Sequence, residues 1–293
     1  MIRVLAFAMC GAVAMVAGAQ QRPAITGISF VRMYASDPAA SGAFYGGDLG
    51  FERSVLGDTQ RFTVNDLQSI EVVPLPSPAP ASRQAAVGLT TRDVKGMETY
   101  LKAHGVAVAE PMQRGRFAVK DPEGNLIYFV QSIPGKPDVS PRAPSHRMIH
   151  AGFMVRSEAT EQTFYRDLLG FKPYWRGGRK DDVVDYVSQH VPEGTDWIEF
   201  MLNAGPSPTL KQLGGMDHIS LGVEHIGDGV AGLARNGCAD AQCAKTQMGR
   251  DGKMQLNVFD PDLTRVEYME YTPTGTTCCS PFIGKHPTAI EDR

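Results

Sequence analysis

Short runs in which apolar and polar side chains alternate every second residue recur along the chain, separated by segments whose apolar residues repeat at helical spacing. Ile219, Leu221 and Val223 alternate with His218, Ser220 and Gly222. Ile198, Phe200 and Leu202 alternate with Trp197, Glu199 and Met201. Ala151, Phe153 and Val155 do the same with His150, Gly152 and Met154, as do Val266 and Tyr268 with Arg265, Glu267 and Met269. Successive side chains of a strand point to opposite faces, so each run predicts a strand with one apolar face for packing. The small polar face of His218, Ser220 and Gly222 suits a cavity.

These runs belong to a repeated plan. Residues 44–51 read FYGGDLGF and residues 164–171 read FYRDLLGF, each after an apolar run and a capping residue, Asp37 before Pro38 or Ser157. Each motif has a glycine just past its last apolar helical position, where a left-handed helix stop is cheap. Two further segments, 86–105 and 218–237, repeat strand, helix and glycine without the aromatic pair. They run on to hairpins with the turns Asp121-Pro122-Glu123-Gly124-Asn125 and Asp260-Pro261-Asp262-Leu263-Thr264. The chain therefore predicts four βαβββ units, an α+β architecture of two paired domains. Proline-rich connectors at 74–80, 134–144 and 203–215 separate the units, and the middle one marks the domain boundary. The expected divisions are 24–132, a linker at 133–147, 148–272, and a poorly specified tail at 273–293.

Candidate chemistry follows from a second regularity. His150 and Glu199 are 49 residues apart, and His218 and Glu267 repeat that interval 68 residues later. Two copies of one unit each supplying an imidazole and a carboxylate point to a shared mononuclear metal site of His150, Glu199, His218 and Glu267. Such a set neutralises a divalent ion and leaves two octahedral positions for water or a bidentate substrate; Zn, Ni, Co, Mn and Fe(II) all suit it. Alignment of the units places Phe30 and Ala86 at the His positions of the first half, with Glu71 and Tyr128 at the Glu positions. One carboxylate without imidazoles holds a transition metal poorly, so the first domain is expected to be metal-free, with Glu71 solvated or hydrogen-bonded.

The FY-x-x-x-LGF helices and the DP-x-G-N turn resemble the vicinal oxygen chelate superfamily of glyoxalase I, extradiol dioxygenases and bleomycin- or fosfomycin-resistance proteins, over about residues 24 to 272. The resemblance implies paired βαβββ units curled into open cups, with ligands on the first and last strands of a unit. It implies metal-dependent chemistry on a small molecule with vicinal oxygens, of glyoxalase-like isomerase or lyase type, with Glu267 or Glu199 shuttling the proton. Glu199, as a fourth ligand, favours that reading over Fe(II) ring cleavage, which in similar two-domain enzymes uses two His and one Glu. For ring cleavage, Asn257 stands where a tyrosine is expected, while Tyr186 and His190 are unplaced candidates. His146 and His225 read as structural or exposed. A resistance-type protein that sequesters its ligand is the third reading, against which the intact quartet argues. The resemblance leaves room for a homodimer.

Residues 1–19 combine Arg3, an apolar stretch and Ala17-Gly18-Ala19, the pattern of a secretory signal peptide, so an exported protein is expected. Removing it moves the formal charge from −3 to −4, and nothing in that balance suggests a nucleic-acid or anionic-membrane partner. No later segment offers about 20 unbroken apolar residues, so no stable membrane association is expected after cleavage. Cys238, Cys243, Cys278 and Cys279 remain, an even count that favours disulfides in an exported chain. Their pairing stays open among three connectivities, with a thiolate metal site as the weaker alternative.

Overall fold

The alternating runs become strands of two sheets in the computed structural model, which describes residues 21–133, 135 and 139–290. The leader expected at 1–19 and Pro134 and Pro137 of the middle connector lie outside these residues. The first half contains β1 (Ile25–Ala35), α1 (Pro38–Ala43), β2 (Glu52–Leu56), β3 (Thr59–Thr63), β4 (Ser69–Pro74), β5 (Gln84–Thr91), α2 (Val94–Ala103), β6 (Val108–Gln113), β7 (Arg116–Lys120) and β8 (Leu126–Gln131). Its strands form one eight-stranded sheet in the order β2-β3-β4-β1-β5-β8-β7-β6, two βαβββ units joined through their first strands. The second half repeats this with β9 (Met148–Met154), α3 (Glu158–Gln162), β10 (Lys172–Gly177), β11 (Tyr186–His190), β12 (Trp197–Met201), α4 (Leu210–Met216), β13 (His218–Val223), α5 (Ile226–Arg235), β14 (Thr246–Met248), β15 (Met254–Phe259) and β16 (Arg265–Glu270). The order is β10-β11-β12-β9-β13-β16-β15-β14. No helix of the described residues is long and apolar enough to cross a membrane.

The repeated aromatic motifs gain a physical role here. Asp37 and Ser157 cap α1 and α3, accepting from the exposed amides of the first turn. Both helices then widen into a π-turn, at 44–48 and 163–168, and both aromatic residues of each pair are buried. Gly50 and Gly170 end them at φ +77°, where a β-carbon would be strained. Each tyrosine crosses to the other half: Tyr45 Oη donates to Asp260 Oδ2 (3.0 Å) and Tyr165 Oη to Asp121 Oδ2 (3.1 Å). Those aspartates belong to the two D-P turns, so the helix motif of one half is tied to the turn motif of the other. One apolar cluster, from Ile25 and Phe62 to Phe200 and Tyr268, runs through both halves.

Two segments differ from expectation. The connector at 203–215 holds most of α4, whose capping box pairs Thr209 with Gln212, a T-x-x-Q signal present in the sequence. The tail is not poorly specified, although residues 273–290 form neither helix nor strand. Its backbone bonds to the second half through Cys278 N to Arg250 O (3.0 Å) and Ile283 N to Tyr174 O (2.8 Å). Arg147 Nη1 donates to Thr288 O at 2.6 Å. Cys238 pairs with Cys243 and Cys278 with Cys279. The second pair lies near Asp181, but as a disulfide it offers no thiolate to a metal.

At the junction between halves, Glu161 is fully buried and accepts from Glu123 N (2.8 Å). Burial and the neighbouring Asp121 carboxylate push its carboxyl from 4.5 up to about 8. A carboxyl whose folded value is raised stabilises the fold fully below its unfolded value, and that contribution disappears as pH rises through the folded one. The contribution of Glu161 to stability is therefore expected to fall between pH 4.5 and about 8. Glu161→Gln should flatten that fall, by on the order of a few kcal/mol, in urea melts across the range.

Candidate metal centre

The four central strands of the second sheet each contribute one polar side chain to its concave face. In β-ladder register, Glu199 lies opposite Gly152 and Gly152 opposite His218, while His150 lies opposite Ser220 and Ser220 opposite Glu267. Adjacent rows on one face bring all four side chains together, with the small Gly152 and Ser220 leaving room between them. His150 Nε2 is 2.8 Å from His218 Nε2 and 3.4 Å from Glu267 Oε2. Glu199 Oε2 is 3.6 Å from His218 Nε2 and 4.0 Å from His150 Nε2. His150, Glu199 and His218 form a group whose donor atoms lie within 4.8 Å of one another and could hold a metal ion. Glu267 stands outside that tightest trio but against His150.

Neighbours set the orientation of each group. The Met216 carbonyl can only accept, so its 2.8 Å contact places the proton of His218 on Nδ1 and turns an Nε2 lone pair into the site. The His150 ring stacks on Trp197, with centroids 4.6 Å apart. Ser188 Oγ donates to Glu199 Oε1 (3.1 Å). Burial pushes both imidazoles well below their ordinary range, with His218 adding to the effect on His150 and Arg265 on both. Burial and then Glu267 push Glu199 up to about 8, and burial raises Glu267. Glu267 Oε2 is buried without a hydrogen-bond partner. An acceptor left so in a dry site is costly unless something cationic meets it, and with the His218 lone pair it gives a donor set that fits a divalent ion.

A cavity of about 260 Å³ opens beside the quartet, lined among others by Trp175, Tyr186, Glu199, Arg250, Arg265 and Glu267. Tyr186 thus reaches the site. His190 does not line the cavity; its ring packs on Tyr174 at 4.0 Å. Asn257 is the ladder partner of Glu267. His146 contacts Ser140 O at 3.1 Å and His225 is exposed before α5, both outside the cluster. Lys253 escaped the sequence reading. Fully buried, it donates to Tyr174 Oη (3.0 Å) and lies 4.7 Å from the centre of the Trp197 ring, on which His150 also packs. Burial draws its ammonium down to about 8. A lysine in a short loop carries no sequence signal of such placement.

The equivalent face of the first sheet is filled. Arg32 lies opposite Glu71 and Ala86, the register of Gly152 in the second sheet. Its guanidinium bonds Glu71 Oε2 at 2.7 Å and packs over the Phe30 and Tyr128 rings. Glu71 is accordingly buried and paired with Arg32 and Arg116, not solvated.

The chain belongs to the glyoxalase/bleomycin resistance protein/dioxygenase superfamily, whose family model matches residues 27–129 and 147–268. Among solved structures it is similar to homoprotocatechuate 2,3-dioxygenase from Arthrobacter globiformis, at 17% identity and a TM-score of 0.65 over 88% of this chain and 84% of that one. The same enzyme from Brevibacterium fuscum, in its anaerobic complex with 3,4-dihydroxyphenylacetate, gives 16% and 0.67 over 91% and 84%. At such identities the likeness is one of fold. No curated protein matches by sequence.

Proposed function

We propose that the protein is a divalent-metal enzyme acting on a small molecule with two adjacent oxygens, held by His150, Glu199, His218 and Glu267. The observation that carries this reading is the meeting of the His150 and His218 Nε2 atoms with the Glu199 carboxylate, beside the unpartnered Glu267 Oε2. Zn, Ni, Co, Mn or Fe(II) suits such a set, and the bound ion supplies Lewis acidity toward the adjacent oxygens. The chain's own groups do the rest. Trp175, Met201 and Met269 supply apolar wall to the cavity. Glu199 has a side chain 14% exposed against 2% for Glu267, so it is the carboxylate placed to take a proton from a substrate carbon and return it to a neighbouring atom. Ser188 keeps it aimed. That is isomerase or lyase chemistry of the glyoxalase type.

A second reading, extradiol-type ring cleavage with Fe(II), is supported by the fold shared with ring-cleaving dioxygenases over most of both chains and by Tyr186 in the cavity wall. The proposed four-ligand set would weigh against it, since an octahedral ion would then keep two positions, enough for a chelating substrate and none for a separate oxygen molecule. Sequestration without metal, the third reading, leaves the buried quartet unexplained. The leader pattern and two disulfides support export.

Metal analysis of protein purified and reloaded anaerobically tests the core of this reading, and a stoichiometric ion is the expected result. Protein that acquires none would return the reading to sequestration. Loaded protein should convert a dicarbonyl or related substrate without taking up oxygen; oxygen uptake with catechols would move the assignment to ring cleavage.

A further inference from the structure

Arg265 is a half-buried cation whose one ion pair among the described residues is a long one. It lies two residues before Glu267 on β16, lines the cavity, and has a side chain 17% exposed. Its Nε is buried without a hydrogen-bond partner, and its ion pair with Glu267 Oε1 is long, at 3.6 Å. Other charged groups of the wall are matched. Asp251 accepts from the Lys253 amide (3.1 Å) and sits in the field of that ammonium, which lies against aromatic rings. Arg250 at the rim bonds Gly178 O (3.1 Å) and Asp181. Glu199 and Glu267 are the carboxylates assigned above to the ion. One guanidinium is left over, facing the space a substrate would fill.

We propose that the substrate carries a carboxylate in addition to its vicinal oxygens, and that Arg265 binds it. This rests on the metal-chelating reading above. A guanidinium presents paired donors in a plane that match a carboxylate, and in a partly dry cavity such a contact is stronger than its equivalent in water. A volume of about 260 Å³ restricts the acid to one ring or a short chain. Arg265 is thus the residue that selects anionic over neutral substrates.

Calorimetric titration of anaerobic, metal-loaded protein with 3,4-dihydroxybenzoate and with 4-methylcatechol tests this. The acid should bind about tenfold more tightly. Arg265→Met should cost the acid far more affinity than the neutral catechol, and Arg265→Lys should keep part of the preference, with circular dichroism verifying the fold of both. Benzoate, which lacks vicinal oxygens, is titrated into the same metal-loaded protein and should bind wild type but not Arg265→Met. Equal affinity for the two catechols, or benzoate binding absent from wild type or untouched by Arg265→Met, overturns the proposal. Benzoate binding that depends on Arg265 when neither catechol binds sustains the anion site while sinking the chelation reading.

Discussion

His218→Ala protein is expected to emerge from purification without metal and to stay metal-free after anaerobic reloading, and His150→Ala should behave alike. Losing an outer-shell partner of a metal ligand typically weakens binding about 10- to 100-fold, so losing a ligand itself should exceed that range. The fold should survive, because the ties of the His218 side chain are one bond to Met216 O and contacts with His150 and Glu199. Elemental analysis with far-ultraviolet circular dichroism separates the two effects: an unfolded variant would make the metal result uninformative, and a folded variant that keeps stoichiometric metal would remove the imidazole from the proposed ligand set. Glu71→Ala is the contrasting case. It should retain metal yet lose stability, because it strips Arg32 and Arg116 of a buried partner.

The second large effect comes from a position with no side chain. A β-carbon on Gly152 would lie 2.0 Å from His218 Cε1 and 2.2 Å from Nδ1, so Gly152→Ala must drive the ring away. Movement of the ring breaks its bond to Met216 O and turns the Nε2 lone pair out of line. Metal affinity should drop by at least about tenfold with every ligand still present, alongside an overpacking cost of about 1–3 kcal/mol. Gly227→Ala, where an added carbon meets nothing within 4 Å, is the control. Competition with a chelating dye reads the difference; unchanged affinity in Gly152→Ala would mean that the position of the His218 ring does not govern metal binding.

Much of this was legible in the chain because a strand has a period of two and the units repeat. The alignment that set Phe30, Ala86, Glu71 and Tyr128 against His150, His218, Glu199 and Glu267 agrees with the ladder pairings residue by residue. Local chemistry also announced the capped helices and their glycine stops. What escaped were pairings that only the folded chain creates. Arg32 sits in an ordinary alternating strand, and nothing local says that its guanidinium fills a cavity. Lys253 and Arg265 read as loop and strand charges until their surroundings are known. The tail lacks periodicity because it is held through backbone bonds, and those leave no pattern in side-chain type.

The crossed tyrosines have a consequence for how the two halves came to differ. Tyr45 reaching Asp260 and Tyr165 reaching Asp121 are the same contact made twice in opposite directions, which is what a twofold axis generates. Two identical half-length polypeptides could make both contacts as a symmetric pair, but each would then carry the same centre. Joining them in one chain releases that constraint: one copy can surrender its centre to an arginine and serve as scaffold while the other keeps the chemistry.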